Sequence, residues 1–497
     1  MTGWPALPLL LVLLSLATAL AVFLAGEARQ RLRTTLNLAA ALAKLGLVAL
    51  LLRAVAAGET FQWRMPLLPG LDLVLKVDSL TLLFTTLSAV LWLLTTIYAI
   101  GYLERSPGRA RFFGFFSLCV AATMGIATAG NLFTFFVFYE LLTLATWPLV
   151  VHRGTQASFA GGRSYLCHTL FGSSLFLAGL VWLHALVGSQ DFIAGGELGD
   201  VLSGNEAAQR GIFVLLLAGM GVKAALLPLH GWLPKAMVAP APVSALLHAV
   251  AVVKAGAFGI VRLVYDVYGS ERVQALGLGH WLAALAAATI LYGSLMALRQ
   301  ADLKKRLAWS TVSQVSYIAL GAAIAGPLAT IGGLVHLVHQ GLMKITLFFC
   351  AGLYAELLGS KRIDQLDGVG RVMPWTSLAF TVTALGMIGV PPMAGFVSKW
   401  YLGTGAVAAG QSWVVGVLVA STLLNAAYFL PVLGRIWFRP PPDAWPAPTR
   451  PGRWARAAML LPALATALAA LLAGLLAGLE LSPLGWVKLI VAREYGG

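Results

Sequence analysis

Five lysines, Lys44, Lys223, Lys254, Lys344 and Lys399, fall inside long apolar runs of this 497-residue sequence. One glutamate, Glu140, does the same within NLFTFFVFYELLTLATW. A charge at the centre of a membrane span costs roughly 2.5–3.5 kcal/mol on insertion scales, so each of these residues calls for a reason. Burial disfavours the charged form of a lysine, because the ammonium loses its hydration, and a neighbouring carboxylate restores it. A buried lysine can therefore take up and release a proton. Glu140, with apolar neighbours for two turns on either side, is the acid expected to pair with Lys223. Making and breaking that pair would shift the lysine's hold on its proton. Lys44 is expected to be the bland case, snorkelling along its own helix.

The histidines extend the pattern. APAPVSALLHAVAVVKAGAFG carries His248 and Lys254 six residues apart, about 1.7 helical turns, so they do not stack on one face. GGLVHLVHQGLMKITLFFCAG carries His336, Gln340 and Lys344 at i, i+4 and i+8, which share a face, with His339 on the adjacent one. A His-Gln-Lys stripe at lipid depth fits a hydrogen-bonded chain with water that relays protons. His168 is a candidate to join it. His152, His184, His230 and His280 fall near loop ends and are expected to be ordinary. Sodium sites usually need carboxylates or exposed carbonyls. Glu140 is the one mid-span acid, so the pattern suits protons better than metal cations, and no metal site is expected.

These residues need elements to hold them. In GVPPMAGFVSKW, Pro391 and Pro392 each remove an N–H and clash with the preceding turn, so the helix should break there. Lys399 follows the break, and Lys223 precedes Pro228 in another span. Non-helical backbone at membrane depth survives where it is buried in protein or lines a water-filled cavity. PLHGWLPK (228–235) and PMAGFVSK (392–399) share Pro-x-x-Gly-aromatic-x-x-Lys. The spans around them form two runs of five. Five is odd, so a second copy would be inverted in the membrane, an arrangement found in transporters. Lys235, which matches Lys399 in this pattern, is read as a residue at the cytoplasmic end.

The composition agrees: 59% of residues are hydrophobic and 11% charged, against about 25% charged in soluble proteins. Apolar runs of about 20 residues recur from end to end, whereas the alternating segments of about 10 residues that build β-barrels do not. The fold class expected is therefore an all-α polytopic membrane protein with about fourteen spans, near 5–25, 34–53, 78–102, 112–129, 131–151, 165–187, 211–229, 241–265, 280–298, 307–325, 329–354, 375–403, 412–436 and 455–479. The first run lacks a basic start and a small-residue cleavage site, so it reads as a transmembrane helix rather than a signal peptide. With the N-terminus outside, roughly 21 of the 34 Lys and Arg fall in cytoplasmic loops, against about 8 in outer ones, which is the positive-inside bias. The loop at 188–210 is acidic instead, with Asp191, Glu197, Asp200 and Glu206. Topology thus explains the net charge of +15, which gives no support for nucleic acid. The three cysteines show no CxxC, haem or iron–sulfur spacing, so no cofactor is expected. There is no glycine-rich nucleotide loop followed by Lys-Ser or Lys-Thr. The divisions expected are 1–111 (three N-terminal spans), 112–265 and 266–437 (the two five-helix runs), and 438–497 (a cytoplasmic loop and a last span).

The sequence resembles the proton-pumping membrane subunits of respiratory complex I and the related large subunits of Mrp-type cation/proton antiporters. The resemblance runs from about residue 70 to 440 and is carried by APAPVSALLHAVAVVKAG, ALRQADLKKRLAWSTVSQVSY, HLVHQGLMKITLFFCAG and GVPPMAGFVSKW. It implies fourteen helices with two inverted five-helix repeats and broken helices seven and twelve. Carried over by motif, Glu140 and Lys223 become the helix-five glutamate and helix-seven lysine. Lys254 becomes the central lysine and Lys399 the terminal residue. His248, His336 and Lys344 fall on the connecting polar axis. One departure stands out. The eleventh helix usually reads Asn-His-Ala where this chain has His339-Gln340-Gly341, moving the ring about 100° around the helix. The chain looks most like the Mrp D subunit, or a related subunit of a membrane-bound hydrogenase, in a bacterial or archaeal cytoplasmic membrane. The resemblance implies other membrane subunits as partners and protons, with sodium, as cargo. Other readings are a pump subunit of a redox-driven complex, which would make it part of a translocase, a proton feeder in inorganic-carbon uptake, and a structural subunit with a dead channel. Retention of the four core lysines argues against the last.

Overall fold

The computed structural model describes residues 6–495 apart from 105, 197, 199–203, 325 and 447–450. Two acids of the predicted outer loop, Glu197 and Asp200, lie outside the described residues. Continuous helices are α1 (Leu7–Ala25), α2 (Gln30–Ala56), α3 (Ser79–Tyr102), α4 (Arg109–Thr128), α5 (Leu132–Val150) and α6 (Gln156–Val187). Later in the chain come α9 (Leu278–Leu298), α10 (Leu303–Ala323), α11 (Pro327–Leu358), α13 (Trp413–Phe438) and α14 (Arg453–Leu475). Three spans are interrupted: α7a (Glu206–Ala224) and α7b (Trp232–Lys235), α8a (Ala241–Ala249) and α8b (Val252–Arg262), α12a (Pro374–Ile388) and α12b (Ala394–Ala408). Among the described residues, 12 spans are long and apolar enough to cross a membrane. The polar-rich α10 and the broken α12 account for the remaining two of the fourteen expected.

Side-chain caps fix where helices start. Asp78, Asn131, Thr155 and Asp302 accept the N–H of Thr81, Thr134, Ser158 and Lys305 at 2.8, 2.8, 3.1 and 2.8 Å. Each satisfies one of the N–H groups that a helix start leaves unpaired.

The two five-helix runs pack as rings. In the first, α4 packs on α5, α5 on α6, α6 on α7a, α7a on α8b, and α8b returns to α4. In the second, α9 packs on α10, α10 on α11, α11 on α12b, α12b on α13, and α13 returns to α9. Helix α11 also touches α3, α8a and α14, which puts its polar face at the centre of the molecule.

Two features depart from the expectation. The first is a hairpin, β1 (Phe61–Leu68) and β2 (Leu71–Val77), in a stretch with no predicted element. It is tied to the rest by Gly130 N–H donating to the Val74 carbonyl at 2.8 Å and Val74 N–H to Thr134 Oγ1 at 2.8 Å. The second is the interruption of the eighth span at Val250 and Ala251, without proline. Both N–H groups donate to the Leu246 carbonyl, at 3.1 and 2.9 Å. The chain therefore carries one residue too many for a regular turn there, and Ala251 leaves helical geometry at φ −100, ψ −82.

Candidate functional site: a row of buried lysines at helix breaks

Lys223 sits two residues before Ala225, the left-handed residue (φ 57) that ends α7a. Its amine donates to the Tyr139 carbonyl and lies over the Tyr139 ring, 3.3 Å from the centroid. Breaking the helix exposes its last carbonyls, and neutral donors take them. Tyr139 Oη donates to Gly219 at 2.8 Å, and Trp232 Nε1 to Val222 at 2.7 Å. The Leu227–Pro228 peptide is cis.

At the second break, Gly389 (φ 93) ends α12a, followed by a cis Pro391–Pro392 bond. Lys399 reaches back from α12b. Its amine donates to the carbonyls of Ile388 at 2.6 Å and Met387 at 3.4 Å, and to Thr422 Oγ1 at 3.0 Å. Asn425 Nδ2 donates to the same Met387 carbonyl at 3.0 Å. A cation at a helix C-terminus is favourable, because the unpaired carbonyls there carry partial negative charge. The lysine also lines a cavity of about 580 Å³ with Gly389, Trp400, Thr422 and Leu423. Its repeat counterpart, Lys235, is exposed, as expected of a residue at a helix end.

Between the breaks lie the remaining groups. Lys254, in the first turn of α8b, is fully buried and its amine has no hydrogen-bond partner. His248, on α8a, stacks on Phe348 with centroids 4.5 Å apart and has both ring nitrogens unpartnered. On α11, His336 Nδ1 meets Ser398 Oγ at 2.8 Å and the ring stacks on Tyr317 at 5.0 Å. Lys344 donates to Ser310 Oγ and, at 3.1 Å, to the Leu307 carbonyl. His336 and Lys344 thus face α10, as their shared spacing implies. His339 and Gln340 are fully buried with every side-chain nitrogen and oxygen unpartnered. Gln314, on the facing α10, is in the same state. Unpartnered buried polar groups are costly, and sites that keep several of them are where water is expected to bridge.

Some expectations need correction. Among the described residues no ion pair joins Glu140 to Lys223. Glu140 is half-buried and accepts from Ser173, while Lys223 is held by Tyr139. Lys44 does not snorkel: it is fully buried, donates to Ser15 Oγ and lies over Trp92. His168 is half-buried on α6, with Nδ1 on the Ser164 carbonyl at 2.8 Å. It borders Gly231 in the first break rather than the α11 stripe. Among the described residues no cluster of metal-ligating side chains is present.

An ionic cluster at the far end of α8b was not anticipated. Arg262, buried, donates to Asp78 at 2.9 and 3.0 Å, to Asp266 at 2.7 Å and to Thr81 Oγ1 at 3.0 Å. A C-terminal segment, α15 (Pro483–Ile490) and its continuation to Tyr495, closes over it. Tyr495 Oη donates to Asp266 at 3.1 Å, and Glu494 accepts from Ser79 N–H at 3.1 Å. Burial alone would raise Asp78, but the Arg262 guanidinium beside it holds the carboxyl below the usual range. Burial, then the Asp78 charge, pushes Glu494 up to about 7. The readable signal was a set of charges at span ends; their convergence depends on tertiary packing.

Known proteins resemble the chain over most of its length. Residues 129–425 match the family described as NADH:quinone oxidoreductase/Mrp antiporter, TM, and residues 70–113 match the N-terminal region of complex I chain 5. NADH-quinone oxidoreductase subunit N of Desulforudis audaxviator (strain MP104C) is 37% identical over 90% of this chain and 89% of that one. A probable K(+)/H(+) antiporter component of Rhizobium meliloti (strain 1021) is 32% identical over 82% of this chain, but only 41% of that longer protein is spanned. A chain of the Mrp complex from Dietzia sp. DQ12-45-1b superposes with a TM-score of 0.87 at 26% identity, covering 100% of this chain and 98% of that one. The chain is thus an antiporter-like membrane protein, and it belongs to the NADH:quinone oxidoreductase/Mrp antiporter transmembrane family.

Proposed function

We propose that this chain carries protons across the membrane as the D-type subunit of a multisubunit Mrp-type monovalent cation/proton antiporter, with sodium as the expected counter-cargo. One observation carries the proton part. Among the described residues, none of the five buried lysines forms an ion pair with a carboxylate. Four of them are held by carbonyls, hydroxyls or rings and Lys254 has no partner at all, so no ion-paired carboxylate locks them in the ammonium form. Protons would enter near α8 on the basic-loop side, pass by Lys223, Lys254, His248, His336, His339 and Lys344, and leave past Lys399. Release of Lys223 from Tyr139 towards Glu140 would gate the step. The antiporter reading is supported by the close superposition on a chain of the Mrp complex.

Lys223→Ala and Glu140→Ala, each in the assembled complex in vesicles, are expected to abolish proton movement with assembly intact; retained movement in both variants would overturn the reading. A second reading, a pump subunit of a redox-driven complex, is favoured by the 37% identity to subunit N. Mild purification of the tagged chain separates the two. Small hydrophobic antiporter subunits would support the exchanger, and flavin, iron–sulfur or nickel–iron subunits the redox machine.

A further inference from the structure

Lys44 lies outside both family-matched stretches and outside the lysine row. It sits midway along α2, fully buried, with Ser15 Oγ of α1 as its hydrogen-bond partner and the Trp92 ring of α3 centred 4.4 Å away. Among the described residues no acid or further base from α1, α3 or α4 acts on it. The closest charge on its own buried face is Arg33, about 16 Å away along the helix by the rise per residue. Methionine or leucine would fill this position at far lower cost than a lysine without a counter-ion.

The buried face of α2 changes character along its length. From the basic-loop end it presents Arg33 and Asn37, then the small Ala40 and Ala41, then Lys44; beyond Lys44 it presents Val48, Leu51 and Val55. The polar half is joined to neighbours. Arg33 lies 3.8 Å from Glu27, whose side chain is 55% exposed. Asn37 Oδ1 accepts from Ser117 Oγ of α4 at 3.0 Å, and Asn37 Nδ2 donates to the Arg33 carbonyl at 2.8 Å. On α3, Ser88 Oγ, Trp92 Nε1 and Thr96 Oγ1 are buried without a partner. They recur every fourth residue, so they share the face that Trp92 turns to Lys44. A lone buried amine, a partly polar helix face with only small alanines between Asn37 and Lys44, and three orphaned polar atoms on the adjoining α3 point to water as the missing partner.

We propose that Lys44 is a proton-binding site of its own, reached by water from the basic-loop face through the seam between α1, α2, α3 and α4. The amine lone pair accepts a proton delivered by water and returns it by the same route, since Val48, Leu51 and Val55 close the other side. Ser15 serves both states, because a hydroxyl accepts from the ammonium and donates to the neutral amine. This site stands whether or not the lysine row transports.

The test is NMR of the full chain labelled with ¹³C,¹⁵N-lysine in vesicles, with the Lys44 signal identified by its loss in Lys44→Met. The signal is expected to change charge state between about pH 5 and about pH 10, the range that brackets perturbed lysines. A Lys44 held in one state throughout would overturn the proposal. Asn37→Leu is expected to slow proton exchange at Lys44 by on the order of a hundredfold, because an apolar plug raises the cost of moving charge through the seam. Ser117→Ala is the milder variant if Asn37→Leu fails to fold. Unchanged exchange in a folded seam variant would overturn the route.

Discussion

At the first break the left-handed residue is Ala225, and at the second it is Gly389. At the first, neutral donors from Tyr139 and Trp232 take the exposed carbonyls, and the lysine turns away to another helix, closed under a tyrosine ring. At the second, the lysine itself takes the carbonyls and borders a cavity of about 580 Å³. Lys223 is therefore enclosed, whereas Lys399 lies beneath an open, mostly apolar groove, although both follow from one sequence device, a proline-broken helix with a nearby lysine. The break makes acceptors available; what fills them decides whether the lysine is held shut or open.

The largest effects should come from enlarging the two side chains. Lys223→Arg is expected to lose transport as fully as Lys223→Met, on the order of a hundredfold for a lost proton-relay group, because the Tyr139 ring leaves no room for a guanidinium. Lys399→Arg is expected to stay within about tenfold of the parent, since the cavity accepts it. Proton movement in vesicles reads both, and equal losses would erase the distinction. Next come the donors that quiet the broken ends. Asn425→Leu and Trp232→Phe each remove one of two donors from a buried carbonyl, leaving Lys399 Nζ at 3.4 Å on Met387 and Ala225 N–H at 3.2 Å on Val222, and should cost about 1 kcal/mol of stability, read by unfolding in detergent. If Lys399 substitutes for the lost donor, Asn425→Leu will cost less than Trp232→Phe, which would sharpen the contrast.

Much of this was legible in the sequence. Run length gave the spans, and Pro228, Pro391 and Pro392 gave two of the three breaks, because proline acts locally. The third, at Val250–Ala251, carries no local breaker and arises from the accommodation of one extra residue against Leu246. The burial of Lys44 was not legible either. A helix face is buried only because of what packs on it, and here that is Ser15 and Trp92 from two other helices. For the same reason sequence spacing named Glu140 and Lys223 but not their separate partners.

Two smaller effects complete the contrast. Ala225→Gly removes a left-handed alanine and should stabilise the first break by about 1 kcal/mol; Gly389→Ala should cost about 1–2 kcal/mol and press on Lys399, whose Cδ would lie 2.9 Å from the new Cβ. Thermal unfolding of the pair should therefore move in opposite directions. Away from both breaks, the closing C-terminal segment should respond to pH. Glu494 has a folded value near 7 against an ordinary 4.5. The folded state therefore binds its proton more tightly than the open one, and stability is greatest below 4.5 and falls as pH rises through 7. Hydrogen-exchange protection of the segment, taken relative to the intrinsic rate at each pH, should fall over that window in the parent and stay flat in Glu494→Gln.

On the proposed reading a single proton route joins Lys223 and Lys399 through the unpartnered amine of Lys254. The most direct measurement is proton movement by the assembled complex in vesicles carrying Lys254→Met, beside a count of assembled subunits. Loss of movement with full assembly is the expected result. Movement at the parent rate would mean that the two breaks do not share a route.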